Sequence, residues 1–177
     1  ELVRENPEVG DFREGFQVYC MGKYSLGTSA STISASGEDD LGVAFYSGRD
    51  RTYHVVQCTV PERDWLEAHP GEVRSFGPAT LRDSRTALQY LLENSDKTAN
   101  DRLQDLRARI GADRQHEDFE LLFFLIVYGW LNERAKAAFT QLKLDYEQQG
   151  VRVILKQIPD LVDEFLVGTA HQSGEIQ

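Results

Sequence analysis

The pattern of apolar and polar residues predicts an α/β fold, a central mixed β-sheet flanked by helices in the order α-β-β-β-α-β-α-β-α. Three observations carry that prediction. The short β-rich runs LGVAFY (41–46) and TYHVVQCTV (52–60) are joined by the polar turn SGRDR (47–51), far too short for a crossover helix, so they form an antiparallel hairpin. EDFELLFFLIVYG (117–129) is apolar at nearly every central position, as expected of a strand covered on both faces. The last third of the chain then reads strand, helix, strand, helix, which is a right-handed crossover unit with parallel strands.

Each element has a local reason. Phe12, Phe16, Tyr19 and Met21 recur at helical spacing behind Asp11, a candidate cap, and predict a first helix over 11–24. Small alternating residues in TSASTISAS (28–36) suggest a short strand, and GEDD (37–40) breaks the chain before the hairpin, where Gly48 is the natural source of a permissive turn dihedral. Pro61 stops the second arm. The segment 62–112 reads as a helical insertion: a helical turn around Trp65, a helix over 80–94 with Leu81, Leu88, Leu91 and Leu92 on one side, and another over about 98–110. Near its C-terminus, 131–149 is a long helix with Asn132 near its start and Gly150 just past its end. VRVILKQI (151–158) is a strand, and Pro159 opens the final helix in its first turn.

Length and composition bound the function. A chain of 177 residues, 41% hydrophobic and 27% charged, suits a single folded domain, with its core over about 11–167. It begins at Glu1 with its only methionine at Met21, which reads as a trimmed product or part of a longer protein. The run LLFFLIVYGWL (121–131) is too short for a bilayer crossing, and no leader is visible, so the expected compartment is cytoplasmic and no membrane partner is expected. Two cysteines, Cys20 and Cys58, exclude a thiolate zinc site. Nineteen basic against 29 acidic residues give a net charge of −10, which disfavours a strong grip on a phosphate backbone. Residues 97–114, with Lys97, Arg102, Arg107, Arg109 and Arg114, form the best candidate for a local basic face.

The chemistry centres on the hairpin. Glu38, Asp39 and Asp40 precede its first arm, and Gln57, Cys58 and Thr59 lie on its second; carboxylates at adjacent strand ends hold magnesium through oxygen ligands. His54 alternates with Val56 and Cys58 and reads as packed, while His69, His116 and His171 have no zinc spacing. No linear feature supports a Cys58–His116 nucleophilic pair. Tyr128 and Trp130 flank Gly129 and read as core or interface aromatics, with stacking on a base as the functional alternative. Neither glycine-rich nucleotide-binding motif is present.

Helix, hairpin with an acidic first arm and a Gln-bearing second, then helix and strand: over about 11–167 this resembles the restriction-endonuclease-like fold, the PD-(D/E)xK superfamily. Within it, the Mrr-type and abortive-infection phage-resistance branch is most similar. The resemblance sets Asp40-Leu41-Gly42-Val43-Ala44-Phe45-Tyr46 against a first arm of the type Asp-x-Gly-Ile/Val-Asp, and Val55-Val56-Gln57-Cys58-Thr59 against Val-Gln-x-Lys. By that resemblance the metal-anchoring aspartate falls on Ala44 and the lysine on Thr59, while Gln57 matches a glutamine that supplies a neutral oxygen.

Losing a carboxylate removes the main attraction for a divalent cation, and threonine offers no cationic head for developing phosphate charge. Three explanations follow: a natural pseudonuclease, an Ala44 engineered from aspartate, or metal ligands migrated to Asp40 or Asp39 with Glu14 completing the set. The leading expectation is a catalytically degenerate nuclease-like module of a defence or DNA-transaction protein, contacting DNA, other domains of a parent protein or copies of itself. The alternatives are an active Mg2+-dependent DNA endonuclease using Asp40 and Gln57, and an interaction or oligomerisation domain without nucleic-acid contact.

Overall fold

The computed structural model describes residues 12–27, 30–33 and 39–175, with side chains in the last helix described as far as Leu166. The chain runs α1 (Phe12–Tyr24), β1 (Ala30–Thr32), β2 (Phe45–Arg49), β3 (Thr52–Thr59), α2 (Arg63–Ala68), β4 (Ser75–Phe76) and α3 (Ala79–Leu92). It continues through α4 (Asp101–Asp113), β5 (Glu120–Val127), β6 (Trp130–Leu131), α5 (Glu133–Glu147), β7 (Val151–Lys156) and α6 (Ile158–Glu175). Five strands make one mixed sheet in the order β1-β2-β3-β5-β7. The pairs β1–β2 and β2–β3 are antiparallel, and β3–β5 and β5–β7 are parallel. A separate parallel pair, β4–β6, had no signal in the sequence.

Strand β5 explains why a continuous apolar run reads as a central strand. Leu121, Phe123, Leu125 and Val127 face one hydrophobic cluster, built with Leu81, Leu88 and Leu91 of α3, Leu103, Leu106 and Ile110 of α4, and Leu142 and Tyr146 of α5. Leu122, Phe124 and Ile126 face a second cluster with Phe16, Cys20 and Tyr24 of α1 and Leu161 of α6. Period-two alternation thus feeds two cores at once, and truncating a buried leucine such as Leu125 to alanine costs about 2–5 kcal/mol. The segment 62–112 is the crossover from β3 to parallel β5, and its helices α3 and α4 form a wall of the larger core.

Helix ends follow their capping residues. The Asn100 side chain accepts from Leu103 N–H at 3.0 Å and Asn132 from Ala135 N–H at 2.9 Å. Past α5, Gly150 takes φ +79°, the left-handed conformation that closes a helix. At the end of α3, Arg114 donates to the Leu92 carbonyl at 2.6 Å and Arg107 to the Glu93 carbonyl at 3.1 Å. Two cations of the expected basic face therefore serve the negative end of a neighbouring helix. The candidate cap Asp11 lies outside the described residues, as does most of 28–36 beyond β1.

The hairpin differs from expectation in its turn. Strand β2 extends to Arg49, so the turn is two residues, Asp50 and Arg51, at φ +49° and +64°. Both are left-handed, the backbone that matches the twist of antiparallel strands. Gly48 sits inside the strand opposite Tyr53, where a Cβ would lie 2.9 Å from the tyrosine ring; glycine is there for space, not for the turn. The first arm also starts late, at Phe45, because Asp39 (φ +58°), Leu41 (+50°) and Gly42 (+81°) fold the preceding residues into a tight turn. No helix among the described residues is long and apolar enough to cross a membrane.

Candidate functional site

The turn 39–42 folds over the middle of the sheet and meets the first turns of α3. Asp40 begins it: its carboxylate Oδ1 accepts from Gly42 N–H at 2.8 Å, and its carbonyl accepts from Val43 N–H at 3.0 Å. An aspartate bonding the backbone two residues on is a self-contained turn. The Asp39 carbonyl accepts from Asn100 N–H at 3.0 Å, tying the turn to α4. A Cβ added to Gly42 would meet Asp83 Cβ at 3.4 Å and Gln57 Cδ at 3.9 Å. The turn therefore brings Asp40, Gln57 and Asp83 into one neighbourhood.

Gln57 is the buried polar residue of this neighbourhood, 3% exposed in the middle of an apolar sheet face. Its Oε1 accepts from Ser84 Oγ at 2.5 Å, and its Nε2 donates to the Thr80 carbonyl at 3.3 Å. Ser84 is itself fully buried. Both ends of the amide are thus engaged by α3, as burial of a polar group requires. Asp83, the preceding position of α3, is exposed overall, but partial desolvation pushes its carboxyl up, with the charge of Arg82 opposing and that of Asp40 adding to the effect. Sequence reasoning missed Ser84 and Asp83, which look like ordinary polar positions of an amphipathic helix.

The remaining predicted residues do not join this group. Ala44 is 3% exposed and packs in the second cluster with Phe16, Cys20, Phe45 and Val56, whereas Gln57 bonds to α3 on the larger-core side. Glu14 is on α1, the helix that covers the second cluster, so it is on the other side of the sheet from Gln57 and Asp83. Thr59 is the last residue of β3, half-buried, with its carbonyl accepting from Tyr128 N–H at 2.8 Å. Glu38 lies outside the described residues. Among the described residues no three His, Cys, Asp or Glu side chains gather to hold a metal ion. The donors near Gln57 do not fit magnesium, which wants near-octahedral oxygens; one carboxylate oxygen is committed to Gly42 N–H and the amide oxygen to Ser84.

The other polar candidates are structural. Cys58 is pushed up by its hydrogen bond to Cys20, by burial and by the charge of that thiol, with Arg13 acting against them. It lies near the C-terminal end of β3, whereas His116 precedes β5, whose parallel register sets Glu120 beside Thr52 at the opposite end. At about 3.3 Å per residue along a strand the two cannot form a Cys–His pair. His54 Nδ1 is 2.8 Å from the Tyr24 carbonyl, and its ring centroid is 5.1 Å from that of Phe124. Tyr128 packs edge-on against Phe12 and Phe16, and Trp130 is exposed. Arg109 stacks over Tyr46 and Tyr53.

Comparison with known proteins finds no matching family model, no matching curated protein and no matching solved structure.

Proposed function

We propose that this chain is a divergent restriction-endonuclease-like domain that has lost its chemistry and acts as a nucleic-acid-related or interaction module of a larger defence or DNA-transaction protein. The order of elements supports the scaffold: a helix, three antiparallel strands, a helical crossover and a strand parallel to the third. The observation that carries the loss of chemistry is Gln57, whose amide is bonded at both ends to α3. With Ala44 and Thr59 at the two central positions of the resemblance, neither a charged anchor for a cation nor a cationic partner for phosphate remains there.

The test is calorimetric titration of the folded chain with magnesium and manganese, paired with a cleavage assay on single- and double-stranded DNA, repeated on Asp40→Ala. The expected result is no site-specific metal binding and no cleavage. Metal binding and cleavage that both vanish in Asp40→Ala would overturn the degenerate reading in favour of an active nuclease using Asp40 and Gln57.

A second reading, interaction without nucleic acid, is favoured by one surface. Val162, Phe165 and Leu166 on α6 are each at least half exposed at helical spacing, a stripe suited to another domain or a second copy. Sedimentation of the chain against Phe165→Glu distinguishes this reading, by loss of self-association. The same reading carries a cytoplasmic location, as the sequence suggests.

A further inference from the structure

The C-terminal ends of the three parallel strands border a cavity of about 240 Å³, away from Gln57. Pro61 follows β3, Tyr128 follows β5 and Ile158 follows β7; Leu66 of α2 and Arg74 before β4 complete the wall. Crevices outside the carboxyl ends of strands are where open α/β sheets take small molecules. The volume is just under the roughly 300–1,000 Å³ of drug-sized ligand sites, so it suits a fragment-sized molecule.

Arg74 sets the chemistry. Its guanidinium carbon is 5.6 Å from the Trp65 ring centroid and 5.2 Å from that of Phe76. Its carbonyl accepts from Trp130 N–H at 2.9 Å beside the β4–β6 pair. Half-buried and braced by two rings, it has no carboxylate within ion-pair distance among the described residues; their ion pairs all use other cations. Glu72 also lines the cavity but is exposed and does not pair with Arg74. Arg74 shares the lining with His69, whose Nδ1 is 2.9 Å from the Trp65 carbonyl, and with the apolar groups of Pro61, Leu66, Val73, Tyr128 and Ile158; a planar guanidinium beside apolar groups matches a carboxylate, which it holds with two parallel hydrogen bonds.

We infer that this cavity is a binding site for a small carboxylate bearing a compact aromatic or apolar group, with Arg74 holding the carboxylate and Leu66 and Tyr128 contacting the rest. The inference does not rest on the proposed function. Its test is calorimetric titration of the full chain with benzoate, its neutral analogue benzamide, and inorganic phosphate, with the combined emission of Trp65 and Trp130 followed. Benzoate is expected to bind and change the emission, benzamide at least tenfold more weakly, and phosphate more weakly still. Arg74→Gln is expected to lose at least tenfold in benzoate affinity, and Leu66→Trp, which fills the cavity, to abolish binding. Absence of benzoate binding to the unaltered chain, equal affinity for benzamide, tighter binding of phosphate, or benzoate affinity untouched by Arg74→Gln would each overturn it. The benzoate–benzamide comparison needs no variant, so it decides the matter even if a substitution impairs folding.

Discussion

Ser84 Oγ donates a 2.5 Å hydrogen bond to Gln57 Oε1, joining the middle of β3 to α3 across 27 positions of sequence. Because both residues are buried, this bond matters more through what its loss leaves behind than through its own net strength. Ser84→Ala strands the amide oxygen without a donor and is expected to cost about 1–3 kcal/mol in urea unfolding. The double variant Ser84→Ala/Gln57→Leu removes both polar partners and is expected to cost less than the sum of the single changes. Strict additivity would mean that the two side chains are not coupled.

Gly129 is a second place where a small group is required. A Cβ there would lie 2.3 Å from the Arg74 carbonyl oxygen and 2.8 Å from the Phe76 ring, so Gly129→Ala must move backbone. Gly150 has a left-handed φ of +79° but nothing within 4 Å of its would-be Cβ, so Gly150→Ala carries only a conformational cost of about 1–2 kcal/mol. Thermal unfolding is expected to fall further for Gly129→Ala than for Gly150→Ala. The opposite order would show that the β4–β6 segment yields easily.

The contrast between what was legible and what was not has physical causes. Strand β5 was readable because burial on both faces leaves an uninterrupted apolar run, and α5 because Asn132 and Gly150 mark its two ends. The position of the hairpin turn was not readable. Composition assigns left-handed backbone to glycine, yet Asp50 and Arg51 adopt it, and Gly48 answers to the Tyr53 ring instead. At the site, Gln57 was singled out by its place on the second hairpin arm and by the resemblance. Its partner Ser84 and its neighbour Asp83 were not, because contacts between a strand and a distant helix leave no local pattern. The separation of Ala44 and Glu14 from Gln57 was hidden for the same reason: linear alignment of an arm says nothing about which core each side chain enters.

The hairpin turn yields a comparison that isolates backbone strain. Arg51 holds φ +64° and also forms an exposed ion pair with Asp118 at 2.8 Å. Arg51→Ala removes the pair, worth about 0–1 kcal/mol, while keeping the strain; Arg51→Gly removes the pair and relieves the strain. The glycine variant is therefore expected to be more stable than the alanine variant by about 1 kcal/mol in urea unfolding. Equal stability would mean that the turn relaxes when Arg51 is changed.

Glu164 of α6 links that helix to the far end of α1 and to β7. It accepts from Tyr24 hydroxyl at 2.7 Å, binds Lys156, and lies 3.4 Å from Lys23. Burial alone raises its carboxyl, but hydrogen bonds from Lys156 and Tyr24, with the Lys156 charge, outweigh burial and hold it below its ordinary 4.5. A carboxylate held low in the folded state adds stability that is complete above its unfolded value and disappears as pH falls through the folded one. Glu164→Gln is therefore expected to lower the unfolding temperature at pH 7. It is also expected to flatten the fall in that temperature as the pH is taken from neutral to below 4.5, because the variant has no proton to gain there. Parallel pH profiles for the two proteins would show that the acid sensitivity of the fold arises elsewhere and that the Tyr24–Glu164–Lys156 contact does not couple α1 to α6.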